Sequence, residues 1–129
     1  MATTGAFDKG WFKITLANTG AAAADMASVL NPEGVALVIT RAVLNITTAS
    51  TGASTIDAGV GSSATTLYDT LIDGRSGATL GVYDNVEDAG TNGEFTLLWP
   101  ADQYVTVSEA SGDVAGLAGE LWLQYYARA

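Results

Sequence analysis

The sequence predicts an all-β, single-domain β-sandwich or jelly roll with long loops. Three observations carry this. Short β-branched and aromatic runs recur along the chain, clusters of Gly, Asn, Asp and Pro punctuate them, and almost no stretch shows the 3.6-residue apolar period of a helix. The 129 residues make one domain, and 48% of them are apolar, enough to bury a core. No linker, second domain or internal repeat interrupts it. Residues 1–10 are expected to be a flexible arm, and residues 11–129 the folded domain.

The elements follow in order. Trp11 and Phe12 open an alternating run through Leu16 that reads as a half-buried strand. The alanine-rich residues 19–30 hold few large apolar side chains and read as a loop or a helical turn. Asn31-Pro32-Glu33-Gly34 is a turn: proline presets φ and glycine closes it. Residues 33–48 then form one long strand, rich in β-branched residues. Val35, Leu37 and Ile39 share one face and Leu44 and Ile46 the other. A bulge or bend near Arg41 would restore a common buried face, and the strand is long enough to change partners midway.

Residues 55–60 form a further strand after the turn at 51–54. Residues 61–66 form a small polar loop. Tyr68, Leu71 and Ile72 have i, i+3, i+4 spacing, so residues 67–74 predict a single helical turn stopped by Gly74. Residues 75–94, rich in Gly, Asp and Asn, predict the longest irregular stretch. Strands return at 94–99 and 103–108, a flexible Gly/Ala connection spans 110–119, and an aromatic strand, 120–127, follows. Six or seven strands result.

Charge narrows the partners. Fourteen acidic residues against five basic ones give a net charge of −9, and the basic residues are scattered. Such a surface repels phosphate backbones and anionic headgroups, so neither nucleic acid nor membrane is an expected partner. The apolar run 35–46 carries Arg41 and is far shorter than the roughly 20 residues a spanning helix needs. Residues 1–5 carry neither a basic n-region nor an apolar h-region, so no signal peptide is expected. The chain contains no His and no Cys. Ser-His-Asp and Cys-His nucleophile arrangements and the common zinc sites are therefore impossible, and no enzyme and no cofactor are expected.

Four patterns could carry chemistry. Gly59, Gly61 and Ala64 fit G-x-G-x-x-A after a strand, but a dinucleotide site needs a helix beginning there, and a plain loop is the simpler expectation. Asp84, Glu87, Asp88, Asn92 and Glu94 form an acidic stretch of the kind calcium favours, yet without the EF-hand spacing, and a solvated loop is expected instead. Asp69 and Asp73 could act as an acid and base pair in glycoside cleavage, but no cleft is visible. Asn45-Ile46-Thr47 matches a glycosylation acceptor inside a predicted strand.

The aromatics are the candidate contact residues: Phe7, Trp11, Phe12, Tyr83, Trp99, Tyr125 and Tyr126. Strand neighbours point to opposite faces, so Trp11-Phe12 and Tyr125-Tyr126 cannot both enter one core. One member of each pair is free to anchor a partner.

Asn31-Pro32-Glu33-Gly34 with its following strand, Leu71-Ile72-Asp73-Gly74, Gly81-Val82-Tyr83-Asp84-Asn85, Gly90-Thr91-Asn92-Gly93 and Ala115-Gly116-Leu117-Ala118-Gly119 carry a resemblance. Over most of the chain from about Asn31 onward, it resembles small head decoration or minor capsid proteins of tailed bacteriophages. The resemblance implies a β-sandwich that binds the major capsid protein on the outer surface of a virion head, often as a trimer. Its motifs are turns and loops, and no binding residue carries over. The arm at 2–12 and the loop at 75–94 are the expected contact segments. The competing expectations are another virion part (a head fibre base, a tail protein or a shell subunit) and a carbohydrate-binding module that stacks sugars on exposed Trp and Tyr.

Overall fold

The computed structural model describes residues 5–8, 10–16 and 26–128. Ten strands lie among them: β1 Gly5–Asp8, β2 Trp11–Thr15, β3 Ala27–Leu30, β4 Leu37–Thr48, β5 Ser54–Gly61, β6 Ile72–Ser76, β7 Gly81–Asp84, β8 Leu97–Trp99, β9 Tyr104–Gly112 and β10 Ala118–Ala127. They form two antiparallel sheets packed face to face, a β-sandwich, with no helix among the described residues. The six-stranded sheet runs β1-β2-β10-β4-β7, with β8 also paired to β4; the four-stranded sheet runs β3-β9-β5-β6.

β4 organises the large sheet. Its residues pair with β10 on one side, and on the other with β8 at Leu37–Ile39 and β7 at Val43–Ile46. Gln124 pairs with Arg41 and Tyr125 with Ile39, which leaves Thr40 as the extra residue of a bulge. The apolar phase flip in the sequence is thereby absorbed: Leu37, Ile39, Ala42, Leu44 and Ile46 are all buried. The expected change of partners occurs at the same place.

The core fills the space between the sheets. Phe12, Ile14, Leu121, Leu123 and the β4 residues come from the large sheet; Ala27, Val29, Ile56, Ala58, Val105 and Val107 come from the small one. Phe12, Trp99 and Tyr125 meet edge to face, with ring centroids 6.0–6.5 Å apart. The Trp99 indole N–H donates to the Gln103 carbonyl at 2.9 Å.

Several expectations need correction. Residues 27–30 form a strand, not a loop or helical turn, because pairing with β9 buries Ala27 and Val29 and overrides alanine's helix preference. Residues 17–25 lie outside the described residues. Residues 67–74 form no helical turn. The Leu71 N–H donates to the Ala58 carbonyl and the Val60 N–H to the Thr70 hydroxyl, so this segment is tied to β5 and runs into β6. The stretch 75–94 includes the end of β6 and all of β7. Val35 lies outside the long strand and is exposed. The loop before that strand is held by Asn31, whose Nδ2 donates to the carbonyls of Val35, Trp99 and Pro100 and whose Oδ1 accepts from the N–H groups of Glu33 and Gly34. Residues 94–96 precede β8 rather than join it, and the connection expected at 110–119 shortens to 113–117, with Val114 and Leu117 buried.

The segment expected as an arm forms a hairpin with β2 over residues 5–8, turning at Gly10 with φ +86°. Residues 1–4 lie outside the described residues.

Candidate interaction face and carboxylate cluster

Register assigns the described side chains of β2, β4, β7, β8 and β10 to a face of the large sheet. Its outer face carries Lys13 and Thr15 from β2; Glu120, Trp122, Gln124 and Tyr126 from β10; Val38, Arg41, Val43 and Asn45 from β4; Val82 and Asp84 from β7; and Leu98 from β8. Polar pairs order one part of it. The Lys13 ammonium stands 5.6 Å from the Trp122 ring centroid, Asn45 donates to Glu120 at 3.2 Å, and Arg41 pairs with Asp84 at 2.8 Å. Three large apolar side chains on this face stay open to solvent: Val82 is 67% exposed, Tyr126 57% and Leu98 41%. Tyr126 and Leu98 both flank Val38, one from each neighbouring strand. Leu80 and Val86, just before and after β7, are exposed as well.

The seven candidate aromatics divide accordingly. Phe12 and Trp99 are core residues, and Tyr83 and Tyr125 pack against the core from its edge. The Tyr125 hydroxyl donates to Glu33 at 2.9 Å; burial first, then Glu33, raises its pKa well above the ordinary value. Trp11 is half-buried and Tyr126 exposed, so each adjacent pair places one ring inward and the other outward. The Phe7 backbone pairs with Phe12; its side chain lies outside the described residues.

The outer face of the small sheet is different: it is polar yet buried. Ser28, Asp57, Thr106 and Ser108 all lie there. The segment 62–71 covers it. A Cβ on Gly59 or Gly61 would collide with Tyr68, and the Thr106 hydroxyl donates to the Thr66 carbonyl. Of the two glycines of the G-x-G pattern, Gly61 gives room to the Tyr68 ring and Gly59 to the backbone at Tyr68 and Thr70, and no helix follows them.

At one end of this face, register places Ser108, Asp57 and Asp73 in a row across β9, β5 and β6. Asp69 joins them, and one carboxylate oxygen from each of Asp57, Asp69 and Asp73 lies within 4.8 Å of the other two. Asn92 closes the group: its Nδ2 donates to Asp69 at 3.1 Å and to Asp73 at 2.9 Å, and its backbone N–H donates to Asp73. Asp57 is only 4% exposed and accepts from the Gly74 N–H at 2.7 Å. Burial raises its pKa, the Gly74 N–H pulls it partly back, and the charges of Asp73 and Asp69 add to the rise. A raised carboxyl pKa contributes stability below the ordinary carboxylate pKa, and that contribution is lost as pH rises through the raised value.

The acidic stretch 84–94 does not act as one unit. Asp84 accepts from the N–H groups of Glu87 and Val86 and from Arg41, and the Glu87 N–H is the largest cause of its lowered pKa. Asp88 accepts from the Asp84 N–H, and only Asn92 reaches the Asp69–Asp73 pair. Asn85, fully buried, locks the stretch to β4: its Oδ1 accepts from the Ala42 N–H and its Nδ2 donates to the carbonyls of Glu94 and Phe95. Asn85→Ala strands those three groups and is expected to cost about 2 kcal/mol in urea denaturation. A loss below about 0.5 kcal/mol would mean that water replaces them freely.

Comparison with known proteins finds no matching family, no matching curated protein and no matching solved structure.

Proposed function

We propose that this chain is a structural virion protein, a decoration protein that binds the outer surface of a tailed-phage head through contacts with the major capsid protein. The observation that carries the reading is the outer face of the large sheet, where Leu98 and Tyr126 stand exposed on either side of Val38, and Val82 stands exposed diagonal to Val43. Large apolar side chains gathered on one solvent-facing sheet surface favour protein contact. The resemblance of the turn and loop motifs to head decoration proteins supplies the partner. Copies held side by side on a lattice, or joined as a trimer, gain avidity, so each contact can be modest. The part of the 75–94 stretch nearest this face adds Leu80 and Val86.

The test is sedimentation of the purified chain with heads that lack it. The chain is expected to pellet at a saturating copy number in fixed ratio to the shell subunit. The double variant Val82→Glu/Tyr126→Glu places charge on two exposed positions, which leaves the melting temperature within about 2 °C of the parent. It should weaken head binding by about tenfold or more, a change of roughly 1.4 kcal/mol. Parent-like binding by this variant would exclude the face, and failure of the parent chain to pellet would exclude the function.

A further inference from the structure

We infer that Asp57, Asp69 and Asp73, together with the Asn92 side chain, form a calcium-binding site on the outer face of the small sheet. This inference stands independently of the capsid reading.

The geometry fits one ion. Calcium takes oxygen ligands at about 2.3–2.6 Å, so two ligands of one ion stand at most about 5 Å apart. The three carboxylates each place an oxygen inside that limit. The fold sets the spacing: Asp57 and Asp73 are register partners on β5 and β6, and Asn92 bridges Asp73 to Asp69 from the loop above. Turning the Asn92 amide by 180° presents its Oδ1 in place of its NH2, adding a fourth oxygen.

A second observation points the same way. Ser108 is the β9 partner of Asp57, so its side chain stands on the same face, directly beside that carboxylate. It is 0% exposed, and its Oγ has no hydrogen-bond partner. A buried hydroxyl without a partner is costly. An ion that keeps part of its water shell, as calcium commonly does, offers this hydroxyl a water oxygen to bond.

The charge also favours a cation. Three carboxylates meet here, one of them buried, while the ion pairs Arg41–Asp84 and Arg75–Asp88 go to other carboxylates. A divalent cation converts this repulsion into attraction. Calcium is favoured over the alternatives because the donor set is all oxygen. The chain has no His or Cys for softer metals, and magnesium demands a near-ideal octahedron at about 2.0–2.1 Å.

The experiment compares thermal melts of the whole chain in EDTA and in millimolar CaCl2, with calorimetric titration of CaCl2 for stoichiometry. The parent should melt about 5 °C or more higher in calcium and bind one ion per chain. Asp57→Asn keeps the acceptor for the Gly74 N–H and removes one carboxylate from the cluster. It should gain nothing from calcium. Asp73→Asn should likewise lose the calcium response, and Asp102→Asn, on an exposed turn, should keep it. A flat titration of the parent would overturn the site. So would an equal calcium shift in Asp57→Asn and Asp73→Asn, the mark of diffuse binding to an acidic surface. An equal shift with MgCl2 would overturn the assignment to calcium.

Discussion

Trp99→Ala is expected to lower folding stability by about 3–5 kcal/mol, read as a fall in the urea midpoint at unchanged slope. Trp99 is the largest fully buried side chain. It ends a strand of only three residues, so little backbone pairing holds it in place. Its ring supports Phe12 from β2 and Tyr125 from β10, and its N–H satisfies the Gln103 carbonyl. Truncation opens a cavity among three strands and removes one of that carbonyl's two donors, the Asn31 N–H at 3.0 Å being the other. Against the roughly 5–15 kcal/mol that holds an ordinary domain together, such a loss is large. Trp99→Phe should recover part of it by restoring the edge-to-face contacts without the N–H. A loss under about 1 kcal/mol for the alanine variant would mean that the aromatic trio is not a keystone of the core.

Gly90→Ala should cost about 2–4 kcal/mol, from backbone strain plus forced displacement of its neighbour. Gly90 has φ +78°, and a Cβ there would overlap the Asp73 carbonyl oxygen and lie 2.9 Å from the Asp73 Cβ. Neither partner can yield easily, because the Asp73 N–H donates to the Ala89 carbonyl at 2.8 Å and fixes loop to strand. The substitution therefore moves Asp73 within its carboxylate row, so the calcium-dependent rise in melting temperature should shrink along with the stability. Parent-like melting in both EDTA and calcium would show that the loop slides without consequence.

The sandwich was legible where alternation was long. The phase flip between Ile39 and Leu44 announced the Thr40 bulge, because only an inserted residue returns both halves of β4 to one core. Alternation failed where strands were short or covered on both faces. In β3 the outward positions are Ser28, small and buried, and Leu30, apolar, so the run shows little alternation. Leu71 and Ile72 are adjacent and both buried, which mimicked a helical spacing with Tyr68. The carboxylate cluster was half legible. Asp69 and Asp73 stand out in the sequence as a pair, whereas Asn92 falls among the acidic residues 84–94 and Asp57 sits alone inside a strand. Its one sequence signal was a charge in the middle of an otherwise uncharged strand, Ser54–Gly61. Which residues meet across those intervals depends on the register of β5 against β6 and β9, and no local pattern encodes that register.

Density-gradient fractionation of particles from the native source tests the central claim most directly, with this chain counted against the major shell protein by mass spectrometry in each fraction. The account predicts co-migration with intact heads at high copy number, in fixed ratio to the shell subunit. Absence of the chain from particles would contradict it, and so would its presence at only a few copies confined to the tail.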